Sequence, residues 1–241
     1  MEKTVGSWQK AVAWGVHLFT ALGIVAGFLA LISIHEENWQ FAIFWMLIAF
    51  IIDGVDGNLA RWFKVKEILP HVNGKMMDYV IDFANYALIP AFLFYQYAFV
   101  PGIMGLLLTL LILLVSVVYY GLDNMVTEDR FFTGFPVLWN LVMCCFVLVI
   151  DAPPWVYGLL VVFFAVMHFV PVRTVYPTQN RNYRMLTWVF TVIFLSSLLV
   201  LVFQYPEKPI VCLVGVYGSM GYFVFLSLYL SVKFREKDLS E

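Results

Sequence analysis

Four aspartates lie close together in a part of the chain that is otherwise apolar enough to enter lipid. They are Asp53, Asp56, Asp78 and Asp82. One charged side chain at the centre of a membrane helix costs about 2.5 to 3.5 kcal/mol, even on a lenient insertion scale, so four would cost on the order of 10 kcal/mol. We therefore expect these acids to have a partner that offsets the cost.

The spacing of the acids predicts two helical faces that meet. Residues three and four positions apart share one face of a helix. The first face carries Asp53, Asp56, Gly57, Ala60 and Arg61, and the second carries Gly74, Asp78 and Asp82. Because the chain reverses direction in the loop at 62–75, the two faces can come together at one end of two neighbouring helices.

Converging carboxylates repel one another unless a cation lies between them. All four ligands are oxygens, and no Cys or His stands at a matching spacing, which favours Mg²⁺ or Mn²⁺ over zinc. Four acids could hold two ions, the arrangement that clamps a phosphoryl group during in-line displacement. Structural ion pairing is the alternative, although Arg61 is the one basic residue well placed for it.

Small and basic residues beside the acids suit a phosphate ligand. Gly57, Ala60 and Gly74 leave room for a bulky group or a close backbone approach. Arg61 supplies a fork of donors for phosphate oxygens. Ordinary helix packing is the alternative for the glycines.

The motif resembles that of a known family. It reads DxxDGxxAR, then twelve residues, then GxxxDxxxD over residues 53–82, which is similar to the signature of the CDP-alcohol phosphotransferases. The long spacer resembles the branch that makes phosphatidylcholine in bacteria. Four further stretches resemble that branch, so the similarity covers nearly the whole chain: VHLFTALG (16–23), VKEILP (65–70), GFPVLWN (134–140) and FVPVRTVYP (169–177).

The resemblance implies a fold, a reaction and a set of site residues. It implies a six-helix core with a divalent-metal site between the second and third helices, in a homodimer of the bacterial inner membrane. It implies transfer of the phosphatidyl group from CDP-diacylglycerol to free choline, with release of CMP. Asp82 would be the general base as well as a metal ligand. The residues that bind CDP-diacylglycerol would be Asp56, Gly57, Ala60, Arg61 and Gly74.

The residues near the motif favour a cationic acceptor. Aromatic faces and diffuse negative charge hold a quaternary ammonium, and Tyr79, Tyr86 and Trp139 are the candidates for binding choline. Basic residues that could bind a phosphorylated alcohol are almost absent from the apolar segments. Ordinary packing is the alternative for each aromatic residue. His71, in the loop beside the motif, is the one histidine that we select for testing.

Two other functions remain open. The same chemistry could use serine or inositol as the acceptor, although the aromatic, weakly basic surroundings and the long spacer argue against both. A cation transporter is the alternative from another class. Transporter acids usually lie near the bilayer midplane on broken helices, whereas these acids cluster toward one end, beside Arg61.

The composition indicates an all-α integral membrane protein with one domain over residues 1–241. Of these residues 63% are hydrophobic and 12% are charged, far from the composition of a soluble domain. About 20 apolar residues are needed to span a bilayer. Eight segments qualify, although the fifth and sixth are short enough to form one re-entrant hairpin instead: 14–34, 39–60, 76–99, 101–121, 135–150, 154–171, 185–203 and 209–231.

The basic residues predict the orientation. Lys and Arg accumulate in cytoplasmic loops, and eight spans with a cytoplasmic N-terminus place all of the 14 Lys and Arg residues except Lys208 on the cytoplasmic side. Both termini and the acidic motif are therefore expected in the cytoplasm. The segment at 1–14 predicts a helix in the membrane interface, with a helical lead-in to the first span as the alternative. A net charge of −2 indicates no nucleic-acid partner.

Overall fold

Helices make up nearly all of the described chain. The computed structural model describes residues 6–122, 132–174 and 183–238, with side chains described as far as Lys233. Two short strands, β1 (Phe132–Thr133) and β2 (Arg173–Thr174), pair in antiparallel fashion. The helices are α1 (Ser7–His35), α2 (Trp39–Trp62), α3 (Val65–Ile68), α4 (Gly74–Phe83), a π-helical turn (Ala84–Leu88), α5 (Ile89–Gln96), α6 (Gly102–Tyr120), α7 (Trp139–Leu148), α8 (Pro154–Met167), α9 (Arg184–Gln204) and α10 (Ile210–Asp238).

Six helical segments are long and apolar enough to cross a membrane. They are α1, α2, the continuous segment Gly74–Gln96, α6, α9 and Ile210–Lys233 of α10. A helix satisfies its own backbone hydrogen bonds, which is why it can span hydrocarbon. The chain is therefore a multi-pass membrane protein, and the predicted all-α membrane class is confirmed.

The helices at the fifth and sixth predicted spans are shorter than the six segments of membrane-spanning length. They correspond to α7, with 10 residues, and α8, with 14 residues, and neither helix alone reaches the length of about 20 residues that a bilayer requires. In the fifth predicted span, residues 135–138 and 149–150 lie outside α7, and in the sixth, residues 168–171 lie outside α8. Of the eight predicted spans, six are thus confirmed.

The hairpin formed by α7 and α8 runs along most of the bundle. At its tip, Asp151 Oδ2 lies 2.7 Å from Lys208 Nζ in the connection between α9 and α10. At the other end, Trp139 Nε1 donates a hydrogen bond to Ser116 Oγ near the end of α6, at a distance of 3.0 Å. The two ends of the hairpin therefore match the two ends of the longer helices.

The N-terminal segment corrects one prediction. Among the described residues there is no separate interfacial helix, because α1 begins at Ser7 and continues unbroken to His35. No proline interrupts the segment, and extending a helix costs less than nucleating a new one. The alternative of a helical lead-in is the one observed. Residues 1–5 lie outside the described part.

Helix α1 is fixed against the third span by a notch of small residues. The Asn85 side chain of the π-helical turn enters the notch at Gly23 and Gly27, and its Nδ2 donates to Gly23 O at 3.1 Å. A Cβ on Gly27 would collide with Asn85 and Ile89. This contact holds α1 beside the helix that carries the second half of the acidic motif.

Candidate active site

The acidic motif lies where one end of α2 meets the start of the third span. Carboxylate oxygens of Asp53, Asp78 and Asp82 lie within 4.8 Å of one another. Asp53 and Asp82 are within hydrogen-bonding distance of each other. The two helices thus bring together three of the four predicted metal ligands.

The twelve-residue spacer forms a docked turn between the two halves of the motif. Lys64 adopts a left-handed conformation, with φ of 51°, and redirects the chain into the short helix α3. Val65 and Leu69 are buried in a small cluster with Ala13 and Val16 of α1. At the end of the spacer, Asn73 caps α4 by accepting from Met76 N at 3.1 Å.

The π-helical turn places Tyr86 on the acidic cluster. Tyr86 Oη donates to Asp53 Oδ2 at 2.6 Å, and the tyrosine is buried. A π-helical turn shifts the side-chain register of a helix and is frequent at functional sites. Tyr86 therefore holds the Asp53 carboxylate, and its ring presents little surface to a ligand.

Asp56 lies apart from the other three acids. It is only 5% exposed, and its side chain lies within hydrogen-bonding distance of Thr20 of α1. The sequence predicted one shared site for all four aspartates. The structure instead gives a cluster of three, with Asp56 turned toward α1.

The predicted nucleotide-binding residues Gly57, Ala60 and Arg61 lie in the last turns of α2, after Asp53 and Asp56. Arg61 is exposed, and its Nη2 donates to Asn58 Oδ1 at 2.7 Å. Its Nη1 lies 3.4 Å from where a Cβ on Gly57 would stand, so the guanidinium covers that glycine. Ala60 is half-buried against the α3 cluster. The remaining guanidinium donors are available to a ligand that enters here.

The predicted choline-binding aromatics have different surroundings. The Tyr79 ring lies 6.2 Å from the Tyr120 ring, between centroids, and Lys75 Nζ lies 5.2 Å from the Tyr79 centroid. Trp139 is fully buried and stacks on His168 at 5.4 Å. In this structure Trp139 is therefore a core residue, whereas Tyr79 borders the site.

Two residues beside the motif were missed from the sequence. Tyr120 lies close enough to Asp53, Asp78 and Asp82 for their charges to act on it. The His17 ring packs on Gly74, with Cε1 3.1 Å from the position of an added Cβ. His17 and Thr20 are polar residues three positions apart on an apolar helix, which is the signal that could have found this face of α1.

Comparisons with known proteins cover nearly the whole chain. A family model described as CDP-alcohol phosphatidyltransferase matches residues 16–229. The chain is 35% identical over 225 residues to phosphatidylcholine synthase of Pseudomonas aeruginosa, covering 93% of this chain and 94% of that protein. Its identity to phosphatidylcholine synthase of Borreliella burgdorferi is 33% over 233 residues, covering 94% of this chain and 97% of that protein. Its identity to phosphatidylcholine synthase of Mesorhizobium japonicum is 39% over 173 residues, covering 72% of this chain and 64% of that protein.

The three clustered carboxylates fit a hard divalent cation. They offer oxygen donors from two helices at a mutual distance that one ion can bridge, and oxygen ligands suit Mg²⁺ and Mn²⁺. In this site Asp53, Asp78 and Asp82 would hold the ion. Tyr86 would orient the Asp53 carboxylate through its hydrogen bond to Oδ2.

We expect metal binding to depend on this cluster. Asp53→Asn or Asp78→Asn should weaken Mn²⁺ binding by purified protein at least tenfold, because each removes a charged ligand from a site with three. Calorimetry or electron paramagnetic resonance without substrate measures this directly. Glu67→Gln removes a charge from an exposed position of the neighbouring helix α3 and should leave the affinity unchanged. Equal Mn²⁺ affinity in the Asp78→Asn variant and the parent protein would contradict the assignment.

Proposed function

The chain belongs to the CDP-alcohol phosphatidyltransferase family, and from that premise we propose that it makes phosphatidylcholine. The reaction joins CDP-diacylglycerol and free choline and releases CMP. The observation that carries the proposal is the cluster of Asp53, Asp78 and Asp82 at the ends of two membrane helices, in a chain that aligns nearly end to end with proteins named phosphatidylcholine synthase. Membership of this family argues against the transporter alternative.

The donor substrate is bound by the residues around the motif. We propose that the four aspartates hold two divalent ions, Mg²⁺ or Mn²⁺, with Asp56 completing the second site. When bound, such ions neutralise phosphate charge and stabilise the departing oxygen. Arg61 donates to the phosphate oxygens, and the nucleotide lies over the small faces of Gly57, Ala60 and Gly74. The acyl chains stay in the bilayer.

Asp82 is proposed as the general base. It accepts the proton from the choline hydroxyl while that oxygen attacks the phosphorus that carries diacylglycerol. The bond between that phosphorus and the CMP oxygen breaks, and CMP leaves with the electron pair. Tyr86 donates to Asp53 at 2.6 Å, so this hydrogen bond fixes Asp53 and leaves Asp82 to take the proton.

The acceptor pocket is proposed at the aromatic pair beside the cluster. Tyr79 and Tyr120 present two rings near three carboxylates, which suits a trimethylammonium group. The ammonium of Lys75 already lies over the Tyr79 ring. The other two predicted aromatic residues would act indirectly. Tyr86 would hold Asp53 in position, and Trp139 would pack in the core behind the acceptor pocket.

We expect Asp82→Asn to separate binding from turnover. The variant should still bind CDP-diacylglycerol but lose about 10²- to 10⁴-fold in turnover, the range typical of losing a general base. Release of CMP measures turnover, and binding of CMP measures the retained site. Near-normal turnover in Asp82→Asn would rule out this role.

The acceptor assignment predicts a preference for choline over serine, inositol and glycerol 3-phosphate. A desolvated cation over an aromatic face gains about 2 kcal/mol, so two faces would give a preference of several hundred-fold. Each alcohol is supplied alone to purified protein with CDP-diacylglycerol and Mn²⁺, and the lipid product is identified by mass. Tyr120→Leu should raise the KM for choline and leave that for CDP-diacylglycerol unchanged. The exposed Tyr95 supplies the control, as Tyr95→Leu.

The outcomes separate the reaction from the acceptor. Turnover of serine or inositol at the rate of choline would overturn the choline assignment and leave the phosphatidyl transfer intact. The absence of CMP release with any alcohol would overturn the proposed function itself.

We further propose that the protein lies in a bacterial inner membrane with both termini and the acidic site in the cytoplasm. The hairpin of α7 and α8 begins and ends on the same side of the membrane. The predicted distribution of Lys and Arg between the two sides is therefore the same whether or not the hairpin crosses the membrane fully. Since its tip pairs with Lys208 at the far end, we propose that it crosses. The homodimer that the resemblance implies is also a proposal, which light scattering in detergent would test.

Thiol labelling tests the orientation. In spheroplasts, Glu207→Cys should react with an impermeant reagent and Lys66→Cys should not, because the first position lies beside Lys208 and the second beside the acidic site. The three native cysteines are buried and are replaced first to remove background. The opposite labelling pattern would refute the topology.

A further inference from the structure

His17 is a buried imidazole with one unpartnered nitrogen. The residue is 8% exposed, and its Nε2 has no hydrogen-bond partner among the residues that the structure describes. The ring is fixed in place by Gly74 on one side and by an edge contact with Trp14, 6.1 Å away between centroids. A buried nitrogen without a partner is destabilising, so a ligand that supplies one would bind favourably here.

His17 belongs to a polar edge of α1 that follows both halves of the motif. Thr20, one turn further along α1, lies at Asp56, while His17 lies on Gly74. Gly74 precedes Asp78 by one helical turn, a rise of about 6 Å. His17 is therefore placed one turn away from the carboxylate cluster, toward the connecting loop.

This position fits the nucleoside part of the donor substrate. If the carboxylate cluster holds the diphosphate, the ribose and base extend beyond it by about one helical turn. They offer hydroxyl groups and the carbonyl and ring-nitrogen acceptors of cytosine. Because Gly74 has no Cβ, the His17 imidazole can approach the α4 backbone there.

We propose that His17 is a nucleotide-binding residue whose Nε2 forms a hydrogen bond with the cytidine of CDP-diacylglycerol. The inference rests on the proposed function and adds to it a contact from α1, outside the motif. It also separates two tasks within the site. Arg61 and the acids bind the charged diphosphate, while the neutral edge of α1 recognises the nucleoside.

The test compares two variants that differ in the group placed at Nε2. Glutamine can put an amide nitrogen near that position, and leucine cannot. In His17→Leu we expect the Kd for CMP, measured by calorimetry with Mn²⁺, and the KM for CDP-diacylglycerol both to rise about tenfold, the scale of one lost hydrogen bond. In His17→Gln both values should stay within about threefold of the parent protein. The KM for choline and the affinity for Mn²⁺ should not change in either variant.

Controls separate binding from folding. His71→Leu, at an exposed loop position, should leave every value unchanged. If His17→Leu does not fold, His17→Asn takes its place, because asparagine is polar but too short to reach the Nε2 position. The melting temperature without ligand is measured for each variant.

Each outcome bears on a different claim. Unchanged CMP affinity in His17→Leu would overturn the inference, as would an equal loss in the Leu and Gln variants together with a lower melting temperature, which would show a purely structural role. Failure of the parent protein to release CMP from CDP-diacylglycerol with choline would refute the proposed function instead.

Discussion

The repulsion among three carboxylates at the end of two membrane helices is the constraint on which the rest of this structure depends. Their oxygens lie within 4.8 Å of one another, and two unit charges at about 5 Å interact by about 3 kcal/mol at an effective dielectric constant of 20. A helix pair free to slide would separate the charges. The fold must therefore hold both helices rigidly and leave the space between the acids for a cation.

Helix α1 supplies much of that rigidity. The notch at Gly23 and Gly27 receives Asn85 of the third span. Nearer its N-terminus, α1 packs on Val65 and Leu69 of the spacer between the two halves of the motif. Both halves of the motif thus rest on the same helix. Tyr86 adds a direct hydrogen bond from the third span to Asp53 of the second. The acids are consequently held in place by contacts with residues outside the motif.

Spacing was enough to predict the cluster, because helical periodicity alone determines which residues share a face. It brought Asp53, Asp78 and Asp82 to one point, but it could not predict that Asp56 turns toward Thr20, since that depends on where α1 lies. The role of Tyr86 was hidden for a similar reason. A π-helical turn changes the register after Asp82, and no residue in that stretch marks it. His71 was selected because it is near the motif in sequence, whereas His17 is near it in space.

Charge balance links the acids to the acceptor. Under the proposed function, four carboxylates with two divalent ions are formally neutral, and the diphosphate then brings two negative charges that Arg61 offsets only in part. One negative charge remains, and a choline cation would cancel it. A zwitterion such as serine or a neutral polyol such as inositol would leave it in place, and a phosphorylated alcohol would add to it in a low-dielectric site where like charges repel strongly. The negative charge that remains at the acids is therefore the feature that favours a cationic alcohol, and the aromatic faces of Tyr79 and Tyr120 add the directional part of that preference.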